Sequence, residues 1–375
     1  MRDGWIETTL SEVAYINPSE PALSSTEHFA PMDAVHVGKR WLQYTEERRD
    51  RSGARARAGD VLFARITPCL ENGKVAQVQE KYSRCGGSTE FIVIRGSEKC
   101  SSNFIYFWST LKLTRDKASE LMTGTTGRQR LSASDLGKIT FLLPPLAEQK
   151  RIVDLISSVD SYIEALQQQV DKARKSRNAV LHELLTKGGH GWVETKLGGI
   201  CEIYQPKTIA KSLMNDSGNY IVYGANGPIG RFDEYNHENS EVVVTCRGAT
   251  CGTVNKTPQK TWITGNAMVI RPKNNSLLKD FLFLSLTSYV DLKSCISGSA
   301  QPQITREGLS PQKIFIPPLD EQKRIVEIIS VFDNQIEALD STIAKTQNLR
   351  SALLSDLLSG NHEIPTTYDK LIGAA

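Results

Sequence analysis

The chain has 375 residues, more than one ordinary domain holds and suited to two or three. Hydrophobic residues make up 39% and charged residues 23%, which permits a packed core and excludes global disorder. The sequence has no run of eighteen apolar residues, so it predicts no spanning helix, and its first residues lack the apolar stretch of a signal peptide. We therefore expect a cytoplasmic protein.

The formal net charge of +3 is spread unevenly along the chain. Residues 1–143 and 191–316 each carry +3, residues 144–190 carry +1, and residues 317–375 carry −4. Two mildly basic stretches are compatible with nucleic-acid binding but do not establish it. The seven cysteines are scattered and never spaced C-x-x-C, which argues against a disulfide framework and a zinc ribbon.

Short apolar runs predict strands in both globular stretches of the chain. VLFAR, FIVIR and KITFLL in the first globular stretch, and VVVTCR in the second, are typical of short buried strands. Glycine- and asparagine-rich stretches predict turns at Gly86-Gly87, at residues 223–228 and at Gly265-Asn266. Both globular stretches are therefore predicted to be α+β.

Each globular stretch is followed by a long helical segment, and the two segments are nearly the same. Residues 144–187 and 317–360 align without gaps at an offset of 173, with 22 identities in 44 positions. The opening, PPLAEQKRIVDLISSVDSYIEAL against PPLDEQKRIVEIISVFDNQIEAL, has 16 identities in 23. Proline pairs precede both segments and stop a helix from extending backward. Weaker similarities, such as GWIETTLSEVA to GWVETKLGGIC, begin each half, so the chain is an internal sequence repeat.

Apolar residues recur in both segments at alternating steps of four and three, which predicts a heptad seam. A helix of about 40 residues and roughly 60 Å needs a partner for that stripe. The twin helix of the same chain is the expected partner, in an antiparallel pair; pairing between two molecules is the alternative. The predicted seam and partner scaffold comprises Ile152, Ile156, Val159, Ile163 and Leu166 in the first copy and Ile325, Ile329, Phe332, Ile336 and Leu339 in the second.

One seam position is arginine in both copies, Arg177 and Arg350. A polar residue in a seam often sets the register of the pair. The same position is equally compatible with a place where the seam widens.

The motifs of common enzymes are absent from the sequence. It contains no phosphate loop, no G-x-G-x-x-G, no serine nucleophile elbow, no H-E-x-x-H and no [DN]-P-P-[FY] tetrapeptide of adenine methylation. Glu148-x-Lys150 and Glu321-x-Lys323 resemble half of a nuclease metal site. Each lies in a first helical turn, where carboxylates are favoured by the helix dipole, so we interpret them as charged helix starts. The chain is therefore predicted to be noncatalytic and to bind no metal.

Recognition is the function that remains. Near-identical helices would bind identical partners, whereas diverged domains would recognise different ligands. Arginine favours guanine edges, and asparagine and glutamine favour adenine edges. The candidate DNA-binding residues lie in predicted turns: Arg65, Asn72, Lys74, Arg84, Arg128, Gln129 and Arg130 in the first domain, and Arg231, Arg247, Asn255, Lys256, Asn266, Gln301 and Gln303 in the second.

The whole chain resembles the specificity subunit of type I restriction–modification systems. PPLAEQKRIV, PPLDEQKRIV, GDVLFARITPCLENGK and TGTTGRQRLS carry the resemblance. It implies a noncatalytic subunit that binds a bipartite double-stranded DNA site, with one recognition domain for each half and the conserved helices as a ruler for the spacer. It also implies that those helices bind two methyltransferase subunits, with motor-nuclease subunits as further partners. S-adenosylmethionine, ATP and Mg would then belong to the partners, and none to this chain.

The predicted architecture is α+β, with two mixed α/β target-recognition domains joined by two long antiparallel coiled-coil helices in a pseudo-two-fold repeat. The predicted boundaries are residues 1–143 and 191–316 for the recognition domains, 144–190 and 317–360 for the helices, and 361–375 for a tail that we expect to be a mobile end. The alternative function is a coiled-coil assembly protein whose heads bind protein or carbohydrate.

Overall fold

The computed structural model describes residues 4–21, 28–47, 53–125, 127–298, 301–365 and 367–368. Packing divides the chain into two compact units. The first unit contains Met1–Ala165 and Thr342–Ala375, and the second contains Leu166–Ser341. Each unit therefore contains a globular stretch together with the beginning of one long helix and the end of the other.

The first unit is built from short strands, short helices and parts of the two long helices. Its strands are β1 (Ile6–Thr9), β2 (Ala14–Ile16), β3 (Phe29–Ala30), β4 (Ala54–Arg57), β5 (Val61–Ala64), β6 (Val75–Gln77), β7 (Arg84–Gly87), β8 (Phe91–Gly96) and β9 (Thr140–Leu143). Its helices are α1 (Leu10–Val13), α2 (Ser102–Thr110), α3 (Lys112–Glu120), α4 (Ala133–Gly137) and the start of α5 (Leu146–Thr186), with a 3₁₀ turn at Met32–Ala34.

The second unit follows a similar order of elements. Its strands are β10 (Val193–Lys196), β11 (Cys201–Tyr204), β12 (Tyr220–Tyr223), β13 (Pro228–Phe232), β14 (Val242–Thr245), β15 (Val254–Lys256), β16 (Thr261–Ile263), β17 (Ala267–Pro272) and β18 (Lys313–Ile316). Its helices are α6 (Leu197–Ile200), α7 (Lys279–Ser288), α8 (Arg306–Leu309) and the start of α9 (Leu319–Leu358), with 3₁₀ turns at Lys211–Leu213 and Lys293–Cys295.

The main sheets of the two units have the same topology within the described ranges. The order is β2-β8-β5-β6 in the first unit and β11-β17-β14-β15 in the second, and all neighbours are antiparallel. Each unit adds a small mixed sheet, β3-β7-β4 or β13-β12-β16, and a two-stranded ribbon, β1-β9 or β10-β18, that leads into the long helix. The weak sequence similarity between the two globular stretches thus corresponds to a shared sheet topology.

The central strands are apolar throughout because both faces of the main sheet are buried. Alternate residues of a strand point to opposite faces. In β5, Val61 and Phe63 join the core beneath α2, whereas Leu62 and Ala64 join the core against the small sheet. The predicted strands VLFAR, FIVIR, KITFLL and VVVTCR are confirmed.

One predicted turn is wrong and two are confirmed. Gly86 and Gly87 lie inside β7, between β3 and β4, instead of in a turn. Crowding favours glycine at the second of these positions, because a Cβ on Gly87 would lie 3.3 Å from the Phe91 ring. Residues 224–227 and Gly265-Asn266 do form turns.

Each long helix begins directly after its proline pair and contributes its first turns to one core and its last turns to the other. In the first unit, Ile152 and Ile156 of α5 pack in one cluster with Leu354 and Leu357 of α9. In the second unit, Ile325 and Ile329 of α9 pack with Leu181 and Leu185 of α5, the repeat partners of Leu354 and Leu358. The α+β class and the antiparallel pairing of the helices are confirmed, while the predicted domain boundaries stay a prediction.

The segment after α9 differs from the expected mobile end. Ile364 is buried in the core of the first unit, and Tyr368 packs against the same core. The prediction missed this because no repeat partner exists with which to compare the tail.

Candidate nucleic-acid interface and helix scaffold

A buried glutamine fastens each long helix to its globular neighbour. Gln149 accepts a hydrogen bond from the backbone N–H of Ser101 (3.0 Å) and donates to the carbonyls of Lys99 (2.9 Å) and Pro144 (3.0 Å). Ser101 is the N-cap of α2, so the glutamine ties α5 to the start of that helix. We call this set of contacts the glutamine clamp.

The second unit contains the same clamp. Gln322 accepts from the N–H of Leu278 (2.8 Å), the N-cap of α7, and donates to the carbonyls of Ser276 (2.8 Å) and Pro317 (2.9 Å). Both glutamines are at most 1% exposed. This role was not predicted from the sequence, although a signal was present, since EQKRIV is identical in the two copies.

A tryptophan–glutamate pair closes the same corner in each unit. The Trp5 indole N–H donates to Glu148 at 2.8 Å, and the Trp192 indole N–H donates to Glu321 at 3.1 Å. The E-x-K carboxylates therefore accept structural hydrogen bonds from the GW motif that opens each half. In the described ranges, no group of three or more His, Cys, Asp or Glu side chains could hold a metal ion.

The seam arginines form ion pairs across the helix pair. In the second unit Arg177 binds Asp333 through Nε (2.5 Å) and Nη2 (3.2 Å). In the first unit Arg350 binds Asp160 in the same two-pronged way, with Nη2 at 2.9 Å. The two aspartates are related by the 173-residue offset, as are the two arginines. The repeated pair favours a role in setting register over a widened seam.

The other predicted seam residues differ in how deeply they are buried. Ile152, Ile156, Ile163, Leu166, Ile325 and Ile329 are buried, with at most 7% exposed. Val159, Phe332, Ile336 and Leu339 are half-buried. Their role as a partner scaffold stays a prediction.

Six of the candidate DNA-binding side chains already have internal partners. Their partners are carbonyl oxygens for Lys74 (Met32), Arg84 (Pro21) and Arg231 (Gly218 and Asn219), and side chains for Arg130 (Glu90), Asn255 (Asn226) and Lys256 (Asp280). These contacts shape the loops. We therefore rank these six below the remaining candidates as base readers.

The remaining candidates have no side-chain hydrogen bond or ion pair within the described part of the chain. Asn72, Arg128, Arg247, Asn266, Gln301 and Gln303 are exposed, whereas Arg65 and Gln129 are half-buried. Several lie at two equivalent places. Arg128 and Gln129 occupy the loop closed by the Thr123–Arg130 bridge, and Gln301 precedes the matching Ser297–Gln303 bridge.

A buried carboxylate pairs with an arginine of the main sheet in each unit, and this pair was not predicted from the sequence. Arg95 binds Asp60 at 2.7 and 2.8 Å, and Arg271 binds Glu241 at 2.8 and 3.1 Å. Both carboxylates are at most 3% exposed, so each needs its partner to offset the cost of burial. The available signal was the repeated V-I-R text that ends β8 and β17.

Burial shifts several pKa values away from their ordinary range. It raises the pKa of the Cys85, Cys100 and Cys201 thiols to about 12, because the thiolate would lose its solvation. Burial also lowers the pKa of His237, whose Nε2 lies 2.9 Å from the Tyr204 hydroxyl. These groups are packed inside the units, where thiolate chemistry is suppressed.

Comparisons with known proteins identify the class of this duplicated molecule. The family model for the type I restriction modification DNA specificity domain matches residues 4–173 and again residues 189–346. The chain therefore belongs to the type I restriction–modification DNA specificity family. The two matches correspond to the two halves of the internal sequence repeat.

Individual relatives are similar over most of the chain. The type I restriction enzyme MjaVIII specificity subunit of Methanocaldococcus jannaschii is 23% identical over 296 residues, which cover 68% of this chain and 69% of that one. A chain from a structure concerning complex assembly and conformational transition of the type I R-M system superposes with a TM-score of 0.63 at 22% identity, over 96% and 99% of the two chains. The S subunit from M. genitalium gives a TM-score of 0.61 at 17% identity, over 96% and 97%. Within the described residues, no helix is both long and apolar enough to cross a membrane.

Proposed function

We propose that this chain is the noncatalytic DNA-recognition and assembly subunit of a type I restriction–modification complex. In this proposal each recognition domain binds one half of a bipartite duplex site, and the long helices set the spacer. The observation that carries the proposal is an asymmetry in the repeat. The contacts that attach the helices are the same in both units, whereas the exposed loop residues differ.

The recognition half of the proposal is supported by the chemistry of the unpaired loop residues. Arg128 in the first domain and Arg247 in the second are exposed cations with no internal partner in the described ranges. Lysine and arginine contacts to phosphates would position each domain, and side chains in the major groove would read base edges. Different residues at these loops would give the two halves of the site different sequences.

The assembly half is supported by exposed residues that are identical in the two copies. Leu146 and Leu319 begin the two helices and are 51% and 38% exposed. Glu164 and Glu337 are also identical and exposed farther along. Identical exposed surfaces offer one binding site twice, so we propose two copies of one partner, a methyltransferase, with motor-nuclease subunits joining the complex. S-adenosylmethionine, ATP and Mg would be held by those partners.

Co-expression with a neighbouring methyltransferase and native mass measurement test the assembly proposal. We expect one copy of this chain with two methyltransferase copies. Leu146→Asp and Leu319→Asp should each remove one copy, because a charge in an apolar contact costs several kcal/mol. Val331→Asp is the matched control, since Val331 is 66% exposed but has a serine as its repeat partner.

A contrary outcome would favour an assembly protein with heads for other ligands. One such outcome is a homo-oligomer that does not bind the methyltransferase. Another is DNA binding whose affinity does not fall as the salt concentration rises. Phosphate-driven binding weakens steeply as salt rises, by about 0.9 log units in affinity per log unit of salt for each phosphate contact.

A further inference from the structure

The second unit contains a cleft whose walls present two of the unpaired candidate side chains. The cleft has a volume of about 440 Å³. Arg247 and Gln303 line it, together with Arg306 on one side. Two buried apolar residues, Met268 and Ile304, also line it and are 1% and 2% exposed.

The backbone that carries Arg247 and Gln303 is held by a ladder of hydrogen bonds. The two residues face one another in an antiparallel bridge. The N–H of Gly248 donates to the Pro302 carbonyl at 3.1 Å, and the N–H of Ile304 donates to the Cys246 carbonyl at 3.0 Å. Gln303 also exchanges two 2.9 Å bonds with Ser297. Fixed backbone positions two side chains with the accuracy that readout of base edges requires.

The equivalent bridge of the first unit has different chemistry. There Ile66 faces Arg130, and Glu90 holds the Arg130 guanidinium through contacts of 2.8 to 3.1 Å. An apolar residue and a neutralised arginine thus occupy the places that Arg247 and Gln303 occupy in the second unit. Of these two equivalent sites, only that of the second domain presents an arginine together with a glutamine.

Resting on the proposed function, we infer that Arg247 and Gln303 are specificity-determining residues for the half-site that the second domain reads. Arg247 donates both prongs of its guanidinium to O6 and N7 of a guanine. Gln303 pairs through its amide with N6 and N7 of a neighbouring adenine. Arg306 supplies a phosphate contact at the rim of the cleft.

Substitution by lysine separates base readout from a phosphate contact. Arg247→Lys keeps the charge but removes the planar fork that matches guanine. In the co-expressed methyltransferase complex, Arg247→Lys should retain affinity within a few-fold. It should lose about tenfold or more of the preference for guanine at one position. Gln303→Ala should relax an adenine position in the same half, and Gln259→Ala, at an exposed glutamine outside the cleft, should change neither.

The measurement combines sequencing of methylated sites with competition binding of duplexes altered one base at a time. The inference is overturned, while the proposed function stands, if the wild-type complex has a bipartite motif and neither Arg247→Lys nor Gln303→Ala relaxes the base preference at any position. It is also overturned if the relaxed position falls in the other half. A wild-type complex with no bipartite motif would overturn the proposed function itself. Thermal unfolding of each variant verifies that the exposed substitutions leave the fold intact.

Discussion

The glutamine clamp should be a main energetic link between each long helix and its recognition domain. Gln149→Ala removes three hydrogen bonds and leaves the Ser101 N–H and two carbonyls without their partner in a buried corner. At roughly 1 kcal/mol for each bond, the loss is about 3 kcal/mol in the stability of the first unit. For a unit of this size, that corresponds to a melting temperature lower by about 6 to 12 °C.

The assay is thermal unfolding combined with hydrogen exchange resolved by mass spectrometry. Gln149→Ala should raise exchange in residues 101–110 and 146–156 and leave the second unit unchanged. Gln322→Ala should do the reverse, with faster exchange in residues 278–288 and 319–329. Gln168→Ala, at an exposed position of α5, is the matched control and should stay within about 0.5 kcal/mol of wild type. Clamp variants as stable as this control would refute the reasoning.

Three further predictions concern charge and protonation. Arg350→Asp should destabilise the first unit by about 1 kcal/mol or more, and the double exchange with Asp160→Arg should recover most of that loss in denaturant titrations; no recovery would contradict the ion pair. Cys85 and Cys201 should resist alkylation in the native protein at pH 8, since burial raises their pKa to about 12 and only the thiolate reacts, and rapid native labelling detected by mass spectrometry would contradict that burial. The second unit should lose stability as pH falls below about 6.5, because the unfolded chain takes up a proton at His237 that the folded unit resists, and His237→Gln should flatten this dependence in unfolding measured between pH 5 and 7.

The repeat explains why so much of the architecture could be predicted from sequence. A helix repeated at a constant offset reveals its seam twice, and strands buried on both faces are continuous apolar runs such as VLFAR. Even the contacts of Gln149 and Glu148 had a visible signal in the identity of EQ between the copies. Composition and periodicity are properties of the chain alone, so they predict structure without any knowledge of tertiary contacts.

What could not be predicted depends on partners far away in sequence. Gly86 and Gly87 have turn-like composition, but pairing with two neighbouring strands makes them strand residues. Arg130 and Arg128 are two residues apart, yet Glu90 binds only the former in the described part of the chain. The burial of Ile364 likewise depends on the core of the first unit, which the tail sequence does not reveal.

An exchange of the second recognition domain would test the central claim most directly. Residues 191–316 would be replaced by the corresponding segment of another family member, and methylated sites would be sequenced for the complex with its methyltransferase. The account predicts that one half of the bipartite site changes while the other half and the spacer stay the same. A change in both halves, or a loss of the spacer length with the fold intact, would contradict two independent readers on a shared helical scaffold.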